Sequence, residues 1–172
     1  MTEPRPLPDL AAVTGGTGFI GAHVVRLLLD RGVAVRVFAL PSDPCHLLEG
    51  LDVEIVRGDL ATGEGFDALL DGADGLFHLA AIYVLLLKDP TLMRRVNVEG
   101  TRKLLEAAKA HGISRVVHTS SIAAVATQPG EARADESHAF DPEGIEELYV
   151  LSKGESEEVA LGMADELDIV AV

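Results

Sequence analysis

The stretch Thr14-Gly15-Gly16-Thr17-Gly18-Phe19-Ile20-Gly21 follows an apolar run, Leu10–Val13, and leads into a helix-like pattern, Ala22–Leu29. Its glycines fit the spacings Gly-x-Gly-x-x-Gly and Gly-x-x-Gly-x-x-Gly. A strand, a glycine turn and a helix let main-chain amides reach a pyrophosphate that a Cβ atom would obstruct. The stretch therefore predicts a dinucleotide site, although such glycines alone also fit an ordinary strand-to-helix turn.

Beyond this stretch, apolar runs alternate with helix-like patterns along the chain. This alternation predicts an α/β fold, a doubly wound parallel sheet (Rossmann) of about six strands with helices on both faces. The predicted strands are Leu10–Val13, Ala34–Leu40, Val53–Arg57, Gly75–Leu79, Arg115–Thr119 and Asp168–Val172. The predicted helices are Ile20–Asp30, Phe66–Leu70, Leu92–Ala110 and Glu146–Glu166. The segment Gln128–Gly144, rich in glycine, proline and acids, is predicted to be a loop.

Length and charge restrict the class of protein. The 172 residues predict one domain, residues 1–172, and the net charge of −14 leaves no basic face for nucleic acid or a membrane surface. Cys45 is the single cysteine, which fits a reducing compartment, and Met1–Asp9 does not resemble a signal peptide. The most apolar stretch, Leu76–Leu87, is shorter than the roughly 20 residues that span a bilayer. We therefore expect a cytoplasmic protein without a membrane segment.

Tyr149 and Lys153 are four residues apart in a predicted helix, so they lie on one face, one turn apart. A phenol is a poor acid or base at neutral pH, but a nearby ammonium stabilises the phenolate. The pair is therefore suited to move a proton to or from a carbonyl or an alcohol. The alternative is an ordinary amphipathic helix with a surface lysine and a half-buried tyrosine.

Other polar residues follow the predicted strands, where ligands of open α/β sheets bind. Thr119-Ser120-Ser121 could hold a substrate oxygen or cap a helix, and Asp59 could accept from an adenine amino group or form an Asx turn. His78 is predicted to be a packed strand residue, and His118 is predicted to be incidental. No group of His, Cys, Asp and Glu has the spacing of metal ligands.

Together these motifs resemble the extended short-chain dehydrogenase/reductase family, and in particular its dihydroflavonol-reductase-like branch of NAD-dependent epimerase/dehydratases. The resemblance covers nearly the whole chain. The matching pieces are Thr14–Gly21, Gly58-Asp59-Leu60, Phe77–Ala81, Val96–Thr101, Thr119–Ser121 and Tyr149–Lys153.

The resemblance implies the role of each site residue. Tyr149 would be the general acid/base, Lys153 would tune it, and Ser121 would polarise the substrate oxygen. Asn97 would be largely structural, bonding main chain near the active site. The implied cofactor-binding residues are Gly15, Gly18, Phe19, Ile20, Gly21, Asp59, Leu60, Ala80, Ala81, Tyr149 and Lys153. The implied function is NAD(P)-dependent oxidation or reduction at a carbonyl or alcohol carbon, with hydride carried by the cofactor.

Two departures from the family pattern leave parts of this reading open. Ala39 and Leu40 stand where NAD users often carry an acid and NADP users an arginine, so NAD and NADP remain equal alternatives, with Ser42 a weak ligand for either. Family members continue into a smaller substrate domain, whereas this sequence ends at Val172 in an apolar run. We therefore expect the chain to be a fragment.

Two further functions and one assembly state remain open at this point. A nucleotide-sugar epimerase or dehydratase would use the same cofactor transiently, and a non-catalytic NAD(P) sensor would need the glycines but not the Tyr, Ser and Lys set. In the family, helices that resemble Leu92–Ala110 and Glu146–Glu166 often pack across a two-fold axis, so a homodimer is a further expectation.

Overall fold

The computed structural model describes residues 6–84, 87–125, 135, 136, 138 and 140–172. Its strands are β1 (Leu10–Thr14), β2 (Ala34–Ala39), β3 (Glu54–Arg57), β4 (Gly75–His78), β5 (Arg115–His118) and β6 (Ile169–Ala171). Its helices are α1 (Phe19–Leu29), α2 (Phe66–Leu70), α3 (Thr91–Arg94), α4 (Thr101–Ala110) and α5 (Leu148–Leu161). Across these residues, no helix combines the length and the apolar character that a bilayer crossing requires.

The strands form one parallel sheet in the order β3-β2-β1-β4-β5-β6, which confirms the predicted doubly wound fold. The chain first builds the sheet outward through β2 and β3, then returns to the other side of β1 with β4. A crevice for ligands opens at such a reversal, outside the carboxyl ends of the strands. In the register, Thr14 pairs with Phe38 on one side and His78 on the other, and His78 pairs with His118. The strand ends are therefore aligned along this crevice.

The element bounds agree with the predicted ones to within two residues except in the last helix. The expected helix Glu146–Glu166 is wrong in length, because α5 ends at Leu161. Beyond it, the amide of Met163 donates to the carbonyl of Ala160, a tighter bond that closes the last turn. The expected loop Gln128–Gly144 falls mostly outside the described residues.

The expected helix Leu92–Ala110 is present but contains a wide turn. The segment Arg95–Gly100 has π-helical hydrogen bonding and joins α3 to α4 without a break. A Cβ on Gly100 would lie 2.8 Å from the carbonyl oxygen of Leu60, so glycine allows this turn to sit against the chain that follows β3. Wide turns of this kind are common at functional sites.

Apolar side chains cover both faces of the sheet, as buried parallel strands require. On one face Leu76 and Val116 pack with Leu104 of α4 and with α2 and α5. On the other face Val13 and Val37 pack with α1. Both faces of β1 are thus buried, because Ala11, Ala12, Val13 and Thr14 have no solvent-accessible surface.

The burial of Leu104 predicts a large stability loss on truncation. Leu104 is fully buried, so Leu104→Ala should lower the free energy of unfolding by about 2–5 kcal/mol through lost burial and a cavity. Leu161→Ala removes the same atoms from a side chain that is 48% exposed, and should cost less than about 1 kcal/mol. Urea unfolding followed by circular dichroism measures both, and equal losses would contradict this account of the core.

Candidate functional site

A cavity of about 430 Å³ lies at the carboxyl edge of the sheet, at the reversal between β1 and β4. Its walls come from the segments that follow β1, β2, β3 and β4, together with the start of the helix that leads into α4. Pockets at this position of an open α/β sheet are the usual ligand sites. The lining residues are Gly15, Thr17, Gly18, Phe38, Ala39, Leu40, Asp43, Gly58, Asp59, Leu60, Leu79, Ala80, Ala81, Ile82, Leu92 and Val96.

The glycine turn between β1 and α1 fits its neighbours only without side chains. Gly15 has φ +72°, and a Cβ there would lie 2.6 Å from the amide nitrogen of Ala80. A Cβ on Gly21 would overlap the carbonyl oxygen of Gly15. Gly18 caps α1 with no side-chain hydrogen bond, so the first amides of the helix keep their capacity for an anion. The turn is therefore a main-chain cradle beside the cavity.

The predicted adenine-side residues lie in the same cavity. Asp59 Oδ1 accepts from the amide of Ala61 at 2.8 Å, which is the Asx turn that the sequence offered as an alternative. Asp59 also lines the cavity, as do the buried Leu60 and the small Ala80 and Ala81. The structure thus brings these four residues to the glycine turn, and Asp59 serves the local turn as well.

Lys153 is fixed at the end of β5. Its Nζ donates to the carbonyl oxygen of Thr119 at 2.7 Å, and the residue is only 4% exposed. Burial lowers the pKa of Lys153, and the negative charge of Glu157 opposes that shift in part. The lysine therefore holds its amine at one defined place, close to the carboxyl edge of the sheet.

Tyr149 does not line the large cavity. Its ring makes an edge-to-face contact with Tyr83, with centroids 4.7 Å apart, in a second cavity of about 280 Å³. The two cavities have neighbouring walls, because Ile82 lines the first and Tyr83 the second. The second cavity is lined by Tyr83, Val84, Leu87, Pro90, Met93, Glu146, Glu147, Leu148 and Tyr149.

Ser121 serves as a cap. Its Oγ accepts from the amide of Ala123 at 3.2 Å and begins the short 3-10 turn Ile122–Ala124, which packs against α5. The capping alternative raised by the sequence is therefore what the structure shows for this hydroxyl. An oxygen that accepts one bond still has a proton to donate, so the cap leaves the side chain a donor.

Asn97 ties the wall between the two cavities to α5. Its Oδ1 accepts from the amide of Ile82 at 2.7 Å, and its Nδ2 donates to the carbonyl of Ile82 and to Ser152 Oγ, both at 3.0 Å. Ser152 in turn donates to the carbonyl of Tyr149 at 2.8 Å. The main-chain bonds match the structural role that the family resemblance implies for Asn97.

A buried hydrogen-bonded chain joins β1, β4 and α4. Thr101 donates its one hydroxyl proton to the carbonyl of Asn97 at 2.7 Å, so it must accept from His78 Nε2 at 2.8 Å. His78 Nδ1 then accepts from Thr14 at 2.7 Å, and Thr14 accepts from the amide of Ala80 at 3.3 Å. His78 is the packed strand residue that was predicted, and burial holds its pKa well below the ordinary value, aided by the charges of His118 and Lys153.

His118, which the sequence predicts to be incidental, belongs to the same buried region. Its ring lies 5.3 Å from that of His78, and its Nε2 is 3.4 Å from Ser156 Oγ. Burial, aided by the charge of Lys153, lowers the pKa of His118 to about 4. His118 Nδ1 and Ser120 Oγ are buried without a hydrogen-bond partner in the described part of the chain. Buried polar atoms without a partner occur at functional sites as well as in strained cores, and these two lie beside the end of β5.

Comparison with known proteins assigns the fold and the cavity to a family. The model of the 3-beta hydroxysteroid dehydrogenase/isomerase family matches residues 12–167, which include the glycine turn, Asn97, Tyr149 and Lys153. The chain belongs to this family. The expected likeness to the extended short-chain dehydrogenase/reductases, in their dihydroflavonol-reductase-like branch, is thereby confirmed.

Three relatives illustrate the range of the family. A protein of Synechocystis that is provisionally named a dihydroflavonol 4-reductase is 42% identical over 96% of this chain and 48% of its own length. A short-chain dehydrogenase/reductase superfamily protein from Agrobacterium tumefaciens, solved with bound NAD, has a TM-score of 0.78 at 32% identity, over 95% of this chain and 47% of that one. The Thermus thermophilus UDP-glucose 4-epimerase complex with NAD has a TM-score of 0.78 at 29% identity, over 94% and 53%. The chain spans about half the length of the curated relatives it matches.

In this member of the 3-beta hydroxysteroid dehydrogenase/isomerase family, two polar residues lie near the site although the sequence analysis did not place them there. Asp43 lines the large cavity, and His118 lies in the buried cluster beside Lys153. A histidine within an apolar strand of a sheet covered on both faces could have indicated burial, because such strands have no solvent side. Asp43 gave no such signal, since it lies in an irregular segment after β2.

The two glycines Gly15 and Gly32 provide a matched test of the cradle. Both have positive φ, but a Cβ on Gly32 meets nothing within 4 Å. Gly32→Ala should therefore cost only the backbone strain, about 1 kcal/mol of unfolding free energy, whereas Gly15→Ala should cost more than about 3 kcal/mol. Chemical denaturation of the two variants measures the difference, and similar losses would show that Gly15 is not constrained by Ala80.

The pKa of His118 predicts a pH-dependent stability. His118 titrates near 6.5 in the unfolded chain and near 4 in the folded protein. Between those values the unfolded state binds more protons, so the free energy of unfolding falls as pH is lowered from 6.5 towards 4, by at most about 3 kcal/mol from this residue. His118→Gln should flatten this decline in urea titrations at pH 7.5, 6 and 5. Leu161→Ala, which removes no titratable group, should keep the wild-type slope, and an unchanged slope in His118→Gln would contradict the assignment.

Proposed function

We propose that this chain is the cofactor-binding part of an NAD(P)-dependent oxidoreductase that acts on a carbonyl or alcohol carbon. The observation that carries the proposal is the side-chain-free turn at Gly15, which fits against Ala80 and lines the cavity together with Gly18, the residue before α1. Relatives named as reductases or dehydrogenases and the NAD-bound Agrobacterium structure support the same reading. Because the chain spans about half of its curated relatives, the activity of the whole protein is part of the proposal.

The residues around the cavity fit a dinucleotide. The amides of Phe19, Ile20 and Gly21 at the start of α1 would face the pyrophosphate, with Gly15 and Gly18 leaving room for it. Asp59 and Leu60 would border the adenine, and Ala80 and Ala81 would line the path towards the nicotinamide. When bound, NAD or NADP supplies or accepts the hydride.

The protein's own chemistry in this proposal is the movement of one proton. Tyr149 donates its phenolic proton to the carbonyl oxygen of the substrate in reduction, and recovers it in oxidation. Lys153, held by Thr119 at the end of β5, would stabilise the phenolate and hold the nicotinamide ribose. Ser121 donates a hydrogen bond to the substrate oxygen with the proton that its cap leaves unused.

Placement of Tyr149 in the second cavity locates the substrate in this proposal. The apolar and aromatic walls formed by Tyr83, Val84 and Met93 suit a carbonyl compound with an apolar body. The reacting carbon would lie where the two cavities adjoin, near Ile82 and Tyr83, so that it meets the cofactor on one side and the phenol on the other.

A nucleotide-sugar epimerase is a second candidate function. The observation that favours it is the likeness to the Thermus epimerase, which has a TM-score of 0.78 and holds NAD in that structure. An epimerase regenerates its cofactor within each turnover. Cofactor that copurifies with the protein and is never consumed during turnover would favour this candidate over a reductase.

We further propose that the protein is cytoplasmic, does not bind nucleic acid and forms a homodimer through α4 and α5. The net charge of −14 supports the second point, because a nucleic-acid surface needs a basic face. The packing of α4 beside α5 within the chain, the arrangement that family members pair across a two-fold axis, supports the third, which sedimentation of the purified chain tests.

Tyr149 and Tyr83 give a matched test of the proton chemistry. Tyr149→Phe should reduce turnover of NADH or NADPH with a panel of aldehydes and ketones by at least about 100-fold, because the proton donor is lost. The affinity for the cofactor, measured by calorimetry, should stay within about threefold of the wild type. Tyr83→Phe removes a hydroxyl from the same cavity and should keep turnover within about threefold.

Two outcomes would contradict the proposal. Equal activity in Tyr149→Phe and the wild type would remove Tyr149 from the reaction. Tight cofactor binding by the wild type without turnover of any carbonyl compound would contradict turnover by this chain and would favour a non-catalytic sensor or a cofactor-binding fragment.

A further inference from the structure

A carboxylate that the family comparison does not single out projects into the large cavity beside the glycine turn. Asp43 lies four residues after the end of β2 and is half-buried. Its Oδ2 accepts from Thr17 Oγ1 at 2.7 Å, and its Oδ1 accepts from the amide of Cys45 at 2.8 Å. Thr17 belongs to the glycine turn, so the carboxylate is fixed between that turn and the end of β2.

The carboxylate of Asp43 has capacity for a further partner. An ionised carboxylate offers about four lone-pair sites, and the two bonds from Thr17 and Cys45 use one on each oxygen. Partial burial raises the pKa of Asp43, but the bonds from Cys45 and Thr17 and the charge of Arg57 outweigh it and lower the pKa below its ordinary value. Asp43 is therefore an anion at neutral pH and accepts hydrogen bonds only.

Arg57, the cation whose charge acts on Asp43, bonds the main chain of the segment after β2. The Nη1 of Arg57 donates to the carbonyl oxygen of Leu40 at 2.8 Å and to that of Asp43 at 2.7 Å. These bonds hold the segment after β2 in place. Among the described residues that line the cavity there are two carboxylates, Asp43 and Asp59, and no lysine, arginine or histidine. The charged side chains of the described lining are thus both acidic, and Arg57 lies outside that lining.

We propose that Asp43 makes this chain select NAD(H) over NADP(H). This rests on the proposed dinucleotide site. In that site the adenosine ribose would lie in the part of the cavity between the glycine turn and the residues that follow β2. Asp43 would accept a hydrogen bond from the 2′-hydroxyl of NAD, whereas the 2′-phosphate of NADP would place a dianion against a fixed carboxylate in a cavity whose described lining has no lysine, arginine or histidine.

This inference resolves the choice that Ala39 and Leu40 left open. Neither side chain can accept from a hydroxyl or neutralise a phosphate. The acidic side chain is instead that of Asp43, further along the chain. It is held at the cavity by the bond from Thr17 to its carboxylate and by the bond from Arg57 to its main-chain carbonyl. Ser42, the weak ligand suggested by the sequence, is exposed and does not line the cavity.

Titration calorimetry of the full chain with NAD⁺ and with NADP⁺ tests the proposal. The wild type should bind NAD⁺ at least about tenfold more tightly than NADP⁺, the effect of one charged hydrogen bond gained or one repulsion added. Asp43→Asn should bring the two dissociation constants within about threefold of each other. Asp165→Asn removes the same charge from an exposed turn away from the cavity and should keep the wild-type ratio.

Arg57→Gln tests whether the arginine is itself a phosphate ligand. If Arg57 only supports the segment after β2, Arg57→Gln weakens both cofactors by a similar factor and the ratio stays as in the wild type. A selective loss of NADP⁺ binding in Arg57→Gln overturns the proposal, because the arginine would then hold the 2′-phosphate.

The wild-type ratio needs no variant, so a folding defect in Asp43→Asn cannot hide the result. Equal or tighter binding of NADP⁺ by the wild type overturns the role of Asp43 and leaves the proposed oxidoreductase in place. Binding of neither dinucleotide overturns the proposed function itself, and the inference with it.

Discussion

The candidate site depends on how closely the main chain after β1 approaches the main chain after β4. At Gly15 a single added carbon would lie 2.6 Å from the nitrogen of Ala80, and at Gly21 it would overlap the turn itself. Close approach places the glycine turn at the reversal of the sheet, where Gly15 and Gly18 line a cavity walled by the segments that follow four strands. A side chain at either position would push the helix and the wall apart, and the site would lose its main-chain surface.

A second constraint orients the face of the site that carries Tyr149. The wide turn Arg95–Gly100 places Asn97 so that its amide bonds both the main chain of Ile82 and the hydroxyl of Ser152. The same side chain thereby fixes the wall between the two cavities and the helix that bears Tyr149. The cofactor side and the phenol side are positioned by different elements, yet one buried amide connects them.

The order of strands and helices could be predicted because it follows from the spacing of apolar residues along the sequence. The glycine turn could be predicted because a Cβ atom does not fit at Gly15 or Gly21. Asp43 could not, since its place in the cavity depends on Thr17 and Arg57, which belong to other segments. The separate position of Tyr149 depends on how Tyr83 packs, which local sequence does not encode. Helix α5 ends early because of tight bonds after Leu161, which the helical pattern of side chains does not reveal. The catalytic and cofactor roles of individual residues remain predictions.

The hydrogen-bonded chain from Ala80 through Thr14, His78 and Thr101 has one direction only. Each hydroxyl has a single proton, and the carbonyl at the end of the chain can only accept, so no member can reverse without stranding a neighbour. The imidazole of His78 is thereby restricted to one tautomer. A proton added to Nδ1 would break the hydrogen bond that this nitrogen accepts from Thr14, in a region where both residues are buried. Because burial also holds the pKa of His78 well below its ordinary value, the end of β4 carries an uncharged imidazole at neutral pH, and the wall of the large cavity formed by the residues after β4 gains no positive charge from it.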